Sequence, residues 1–139
     1  MSLGFVLDES TIRELGRGDN TVTTLVAELD ELAIRMSVPF ITLVLAQRTL
    51  SDIQIDFIRG MIDRVDHVRL EMPASDEDAA NLTVIAAHLG DQPDLGAAHA
   101  IAVSRSLDFP ILTVDQKYWE PIAAVLPWHI EFFEIRDTD

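Results

Sequence analysis

Cysteine is absent from the 139-residue chain, which excludes a disulfide framework and any thiolate metal site. Long apolar runs are absent too, and none reaches the roughly 18 to 20 residues that a membrane span needs. The N-terminus lacks the basic region and apolar stretch of a signal peptide, so a cytoplasmic protein with no membrane partner is expected. No glycine-rich loop ends in lysine, which excludes a P-loop. Lysine itself is nearly missing, with Lys117 the only one. Ten basic residues face 24 acidic ones, for a formal charge of −14. Nucleic-acid affinity comes largely from Lys and Arg displacing counterions from phosphate. The charge therefore argues against generic RNA or DNA binding, while leaving a selective enzyme open. Repeats, low-complexity tracts and linkers are also lacking, so residues 1–139 read as a single domain.

What is present is an alternation of strand-like and helix-like pieces, the pattern of βαβ units around a parallel sheet. Phe5-Val6-Leu7 is a short apolar run ending in Asp8, and Ser10 is placed to cap a short helix that stops near Gly16 and Gly18. From Asn20 or Thr21, the residues Val22, Leu25, Val26, Leu29, Leu32 and Ala33 recur at helical spacing. Residues 39–42 predict a second strand, opening into a helix-like stretch over 43–50. Residues 52–65 predict a helix with Ile55, Ile58 and Ile62 inward, and 68–70 a weak strand. Ser75 with Asp78 resembles a capping box, opening a helix that Gly90 stops. After a turn-rich loop, Asp94 is expected to N-cap an apolar, central helix over 95–107. Ile111 to Val114 then form a strand ending in Asp115, and 130–135 the last strand. The sum is a three-layer α/β/α sandwich with a central parallel sheet.

Asp8 and Asp115 each follow a buried strand, and the carboxyl ends of strands in an open α/β sheet face the ligand crevice. Two carboxylates carried there from opposite ends of a chain are how a divalent-cation site is built. Each is equally suited to N-capping the helix behind its strand, and the sequence leaves both roles open.

Taken in order, these pieces resemble the PIN domain, the fold of many toxin–antitoxin ribonucleases. The resemblance rests on Val6-Leu7-Asp8-Glu9-Ser10, on the stretch from Val38 to Arg48, and on the stretch from Asp94 to Asp115 with its Thr113-Val114-Asp115 ending. It implies a cluster of carboxylates holding Mg²⁺ or Mn²⁺ that activates water against an RNA phosphodiester, a task suited to hard oxygen ligands. Asp8 and Asp115 carry over directly. The family's glutamate in the second motif falls on Gln47, which keeps an oxygen but not the charge. Its acid inside the Ala-rich helix falls on Ala97, with Asp94 one turn upstream as the substitute and Asp91 beyond it. The implied catalytic set is therefore Asp8, Asp94, Asp115 and Gln47, with Asp8, Asp94 and Asp115 as metal ligands. Two functions follow: a Mg²⁺-dependent endoribonuclease of the toxin type, or a catalytically impaired domain that binds protein or RNA as a regulatory module. The resemblance also implies an antitoxin-like protein partner and a homodimer.

Arg13, Arg17, Arg48 and Lys117 are candidates for phosphate contact, against the alternative of solvated or ion-paired side chains. His67, His88, His99 and His129 show no metal-ligand spacing. His99 stands apart because it lies in the Ala-rich helix.

Overall fold

Val6 and Leu7 are neighbours in the chain, both are fully buried, and they belong to different cores. Successive side chains of a strand point to opposite faces, so their strand must be covered on both sides, as parallel strands are. The computed structural model describes residues 3–136. Within them the strands are β1 (Gly4–Leu7), β2 (Arg35–Pro39), β3 (Val68–Glu71), β4 (Ile111–Thr113) and β5 (Phe132–Glu134). The helices are α1 (Glu9–Arg17), α2 (Asn20–Glu31), α3 (Phe40–Gln47), α4 (Asp52–Arg64), α5 (Asp76–His88), α6 (Leu95–Leu107) and α7 (Gln116–Val125). All strands are parallel, in the order β3-β2-β1-β4-β5. Leu7 and Leu112 pack with α1 to α4 on one face, while Val6 and Ile111 pack with α5, α6 and α7 on the other. The architecture is thus the expected three-layer α/β/α sandwich.

Strand order reverses direction between β1 and β4, and the crevice past their carboxyl ends is where such sheets place their sites. Asp8 directly follows β1, and Asp115 lies two residues past the end of β4.

Several elements lie elsewhere than the sequence predicts. The second strand covers Arg35–Pro39 rather than 39–42, and α3 begins at Phe40 rather than 43. The polar residues Arg35 and Ser37 disguise this strand. Both are held by Glu71 on β3: Arg35 as an ion pair, and Ser37 through a hydroxyl that donates at 3.2 Å. Pro39 has φ −68° and no N–H to offer, which suits it to end the strand and start the helix. Asp8, not Ser10, caps α1, and Asp19 caps α2. At Ser75 only half of the box forms, because the Asp78 carboxylate accepts from Ala74 N at 2.8 Å. The complete capping box is instead Ser51 with Gln54. In α4 only Ile58 is fully inward, with Ile55 and Ile62 half-buried. The last strand is shortened to Phe132–Glu134. Among the described residues no helix is long and apolar enough to cross a membrane.

Candidate functional site

Three aspartates from three helix starts meet at the crevice. Asp8 N-caps α1, Asp94 N-caps α6 and Asp115 N-caps α7. All three line one pocket of about 70 Å³, together with Glu9, Arg13, Thr42, Ala97, Tyr118 and Trp119. A pocket of that size takes a few waters, whereas organic ligands occupy several hundred Å³.

Gln47 is not among the lining residues. It ends α3, and its Oε1 is buried with no partner among the described residues. The helix start explains the difference. Thr42 faces the pocket, and a residue five positions later lies about 140° away around an α-helix. Thr42 donates its hydroxyl to Gly96 O at 2.8 Å. The next turn of α3 brings Leu45 so close that a Cβ on Gly96 would sit 2.7 Å from Leu45 Cδ1. Helix α3 therefore brings a hydroxyl and an apolar side chain to this edge, and no carboxylate.

The carboxylates are already engaged. Asp8 is only 3% exposed, and a buried carboxylate needs its oxygens satisfied. Its Oδ1 accepts from Ser10 Oγ and Thr11 N, both at 2.8 Å, and its Oδ2 accepts from Trp119 Nε1 at 2.8 Å. All three donors are neutral. Asp94 Oδ1 accepts from Ala97 N at 3.0 Å, and its Oδ2 accepts from the Tyr118 hydroxyl. Burial first, and then this carboxylate, pushes the Tyr118 phenol above its ordinary pKa. Asp115 is exposed and accepts from Tyr118 N at 3.4 Å. Ser10 joins the two strand ends, since its hydroxyl also accepts from Val114 N at 3.2 Å. Thr113 Oγ1 accepts from Asp115 N at 3.0 Å.

The donor chemistry suits a hard divalent cation, but the arrangement does not. Among the described residues no three Asp, Glu or His side chains converge closely enough to hold an ion. Trp119 and Tyr118 each donate one hydrogen bond to the second oxygen of Asp8 and of Asp94, using part of its acceptor capacity. The residues present thus do not fit a Mg²⁺ or Mn²⁺ centre in this arrangement.

The aromatic pair is what a reading of acids alone misses. A signal was present: Tyr118 and Trp119 stand three and four residues after Asp115, one turn into the helix it caps.

The basic candidates give the pocket little free positive charge. Arg13 pairs with Glu9 and Arg17 with Glu14 on their own helix, while Arg48 and Lys117 are exposed. His99 lies outside the acidic pocket. It is buried, its Nδ1 accepts from Ile41 N at 3.2 Å, and desolvation pulls its pKa below the ordinary value. His67 pairs with Asp30, and His88 bonds Val84 O and packs on Trp128.

No family model matches the chain, and no curated protein matches its sequence.

Proposed function

We propose that this chain is a PIN-like domain in which metal-dependent cleavage is lost and which acts, in a cytoplasmic setting, as a binding module for a protein partner. The observation that carries this reading is the occupation of Asp8, whose two oxygens are taken by three protein donors. Three of the roughly four acceptor sites of the carboxylate are thus used by the protein, which leaves Asp8 little capacity for a cation. The lack of an α3 carboxylate supports the same conclusion. The element order and the Thr113-Val114-Asp115 ending support the PIN-like assignment. A formal charge of −14 favours a basic protein, antitoxin-like in its chemistry, over RNA. A homodimer rests on the family resemblance alone, since a second copy carries the same charge of −14.

The second reading is a Mg²⁺-dependent endoribonuclease of the toxin type, with Asp8, Asp94 and Asp115 on Mg²⁺ or Mn²⁺. It is favoured by the meeting of these three side chains in one pocket at the sheet's switch point. Incubation of single-stranded and structured RNA with the protein and millimolar Mg²⁺ or Mn²⁺ separates the two. The impaired domain cleaves no faster than its Asp115→Asn variant. Metal-dependent cleavage that disappears in Asp8→Asn and Asp115→Asn overturns that reading in favour of the enzyme.

A further inference from the structure

Tyr118, Pro121, Ile122 and Val125 recur along α7 at positions i, i+3, i+4 and i+7, the spacing of one helix face. Trp119 anchors this helix in the core, and the stripe lies beside it. Ile122 is half-buried, whereas Tyr118 is 44% exposed and Val125 is 53% exposed. The stripe forms one wall of a groove of about 560 Å³, and His88, Leu89 and Gln92 belong to the other. This groove is far larger than the acidic pocket of about 70 Å³.

One end of the groove is acidic. Asp94 and Tyr118 line both the groove and the acidic pocket, so the two meet there. The pocket adds Asp8, Glu9 and Asp115 at that end, against Arg13, which pairs with Glu9. Asp91 is exposed between Gly90 and Gln92 in the adjoining loop. Of the bases, His88 lines the groove, with its Nδ1 bonded to Val84 O. Lys117 lies about 100° around α7 from Tyr118, and its charge acts on Glu134. The complement of this surface is an apolar stripe of helical period with lysine or arginine beside it. That is the helix-in-groove mode of recognition, and the stripe from Tyr118 to Val125 matches about two turns of a partner helix. A second copy of the chain fits less well, because it brings the same charge of −14.

We propose that the groove between α5 and α7 is where a protein partner docks, through a basic amphipathic helix. Its apolar face rests on Tyr118, Ile122 and Val125, and a lysine or arginine at its end lies beside Asp94. The inference rests on the reading of the chain as a binding module, and it gives that module a surface and its partner a chemistry.

The test is an NMR titration of the whole chain with a synthetic helix of about 14 residues, leucine on one face and lysine on the other. Saturable shifts of the Tyr118, Ile122 and Val125 amides are expected, with a Kd of about 10–100 µM. A scrambled peptide of the same composition, and one with glutamate for every lysine, should each bind at least about tenfold more weakly. Val125→Glu adds attraction for lysine but sets a charge in the apolar stripe, and should weaken the peptide about tenfold. Ile53→Glu, at a residue 82% exposed on α4 and outside the groove, should leave binding unchanged. Binding that survives Val125→Glu and is lost in Ile53→Glu overturns the groove but not the binding module, on which the RNA cleavage assay reports separately. Equal binding of the scrambled peptide, or no saturable shift up to about 1 mM peptide, overturns the proposal. So do α7 amide shifts that grow with protein concentration in the absence of peptide, which place a second copy in the groove.

Discussion

The indole nitrogen of Trp119 donates to Asp8 Oδ2 at 2.8 Å, tying the first strand end to a helix 111 residues later. This bond gives Asp8 a structural task of its own. In a metal-free cluster of carboxylates, removing one charge relieves repulsion and stabilises the fold. Where a carboxylate is the acceptor of three donors, removing it leaves donors unpaired.

Asp8→Asn should therefore lower stability, by about 2–3 kcal/mol, since the new amide N–H₂ would face another donor. Trp119→Phe should cost about 1.5–3 kcal/mol by deleting the charge-assisted bond from inside the core. Urea unfolding of both variants checks the sign. An Asp8→Asn protein more stable than the parent would contradict the account.

Tyr118 is the only tyrosine, so tyrosinate absorbance reports it alone. Burial and Asp94 raise its pKa, so the phenol should ionise well above the usual value of about 10. The folded pKa exceeds the unfolded one. The stability it contributes is thus complete below about pH 10 and lost as pH rises above that. Asp94→Asn should move the titration part of the way back, because burial is the larger cause.

His99 gives the opposite pH dependence. Its folded pKa lies below the unfolded value, and protonation would set a ring N–H against Ile41 N–H. Stability is complete above about pH 6.5 and falls as pH drops from there through the folded pKa. His99→Asn keeps an acceptor for Ile41 but has no titrating ring. Thermal unfolding across pH 5 to 8 should show a shallower acid-side decline for this variant than for the parent.

Gln47 separates the geometry from the family pattern most cleanly. Its Oε1 is buried with no partner among the described residues, so Gln47→Leu should be neutral or stabilising by up to about 1 kcal/mol. Gln47→Glu would put a charge in that same position, away from the acidic pocket, and should destabilise without creating cleavage. Nuclease activity in Gln47→Glu would show that α3 presents this position to the pocket after all.

The layers of the fold were legible because they rest on short-range chemistry. Val6-Leu7 and Ile111-Leu112 are apolar on both faces, and Ser75 and Asp94 cap helices as their residue types favour. The strand Arg35–Pro39 was not legible, because its polar residues Arg35 and Ser37 bond to Glu71, which is 36 residues from Arg35. At the site, Asp8, Asp94 and Asp115 could be gathered from strand ends and helix starts. What could not be read is which donors take their oxygens. That depends on α7 folding back across the sheet edge to bring Tyr118 to Asp94 and Trp119 to Asp8. The misplacement of Gln47 has a similar origin, since the start of α3 at Phe40 sets which of its residues face the pocket.

The central claim is that the acidic pocket is held by protein donors rather than by a metal. Calorimetric titration of the protein with Mg²⁺ and Mn²⁺, beside Asp8→Asn, tests it most directly. No saturable heat is expected up to about 10 mM of either ion, and the same trace for the variant. Saturable binding at millimolar or tighter concentration in the parent, abolished in Asp8→Asn, would contradict it.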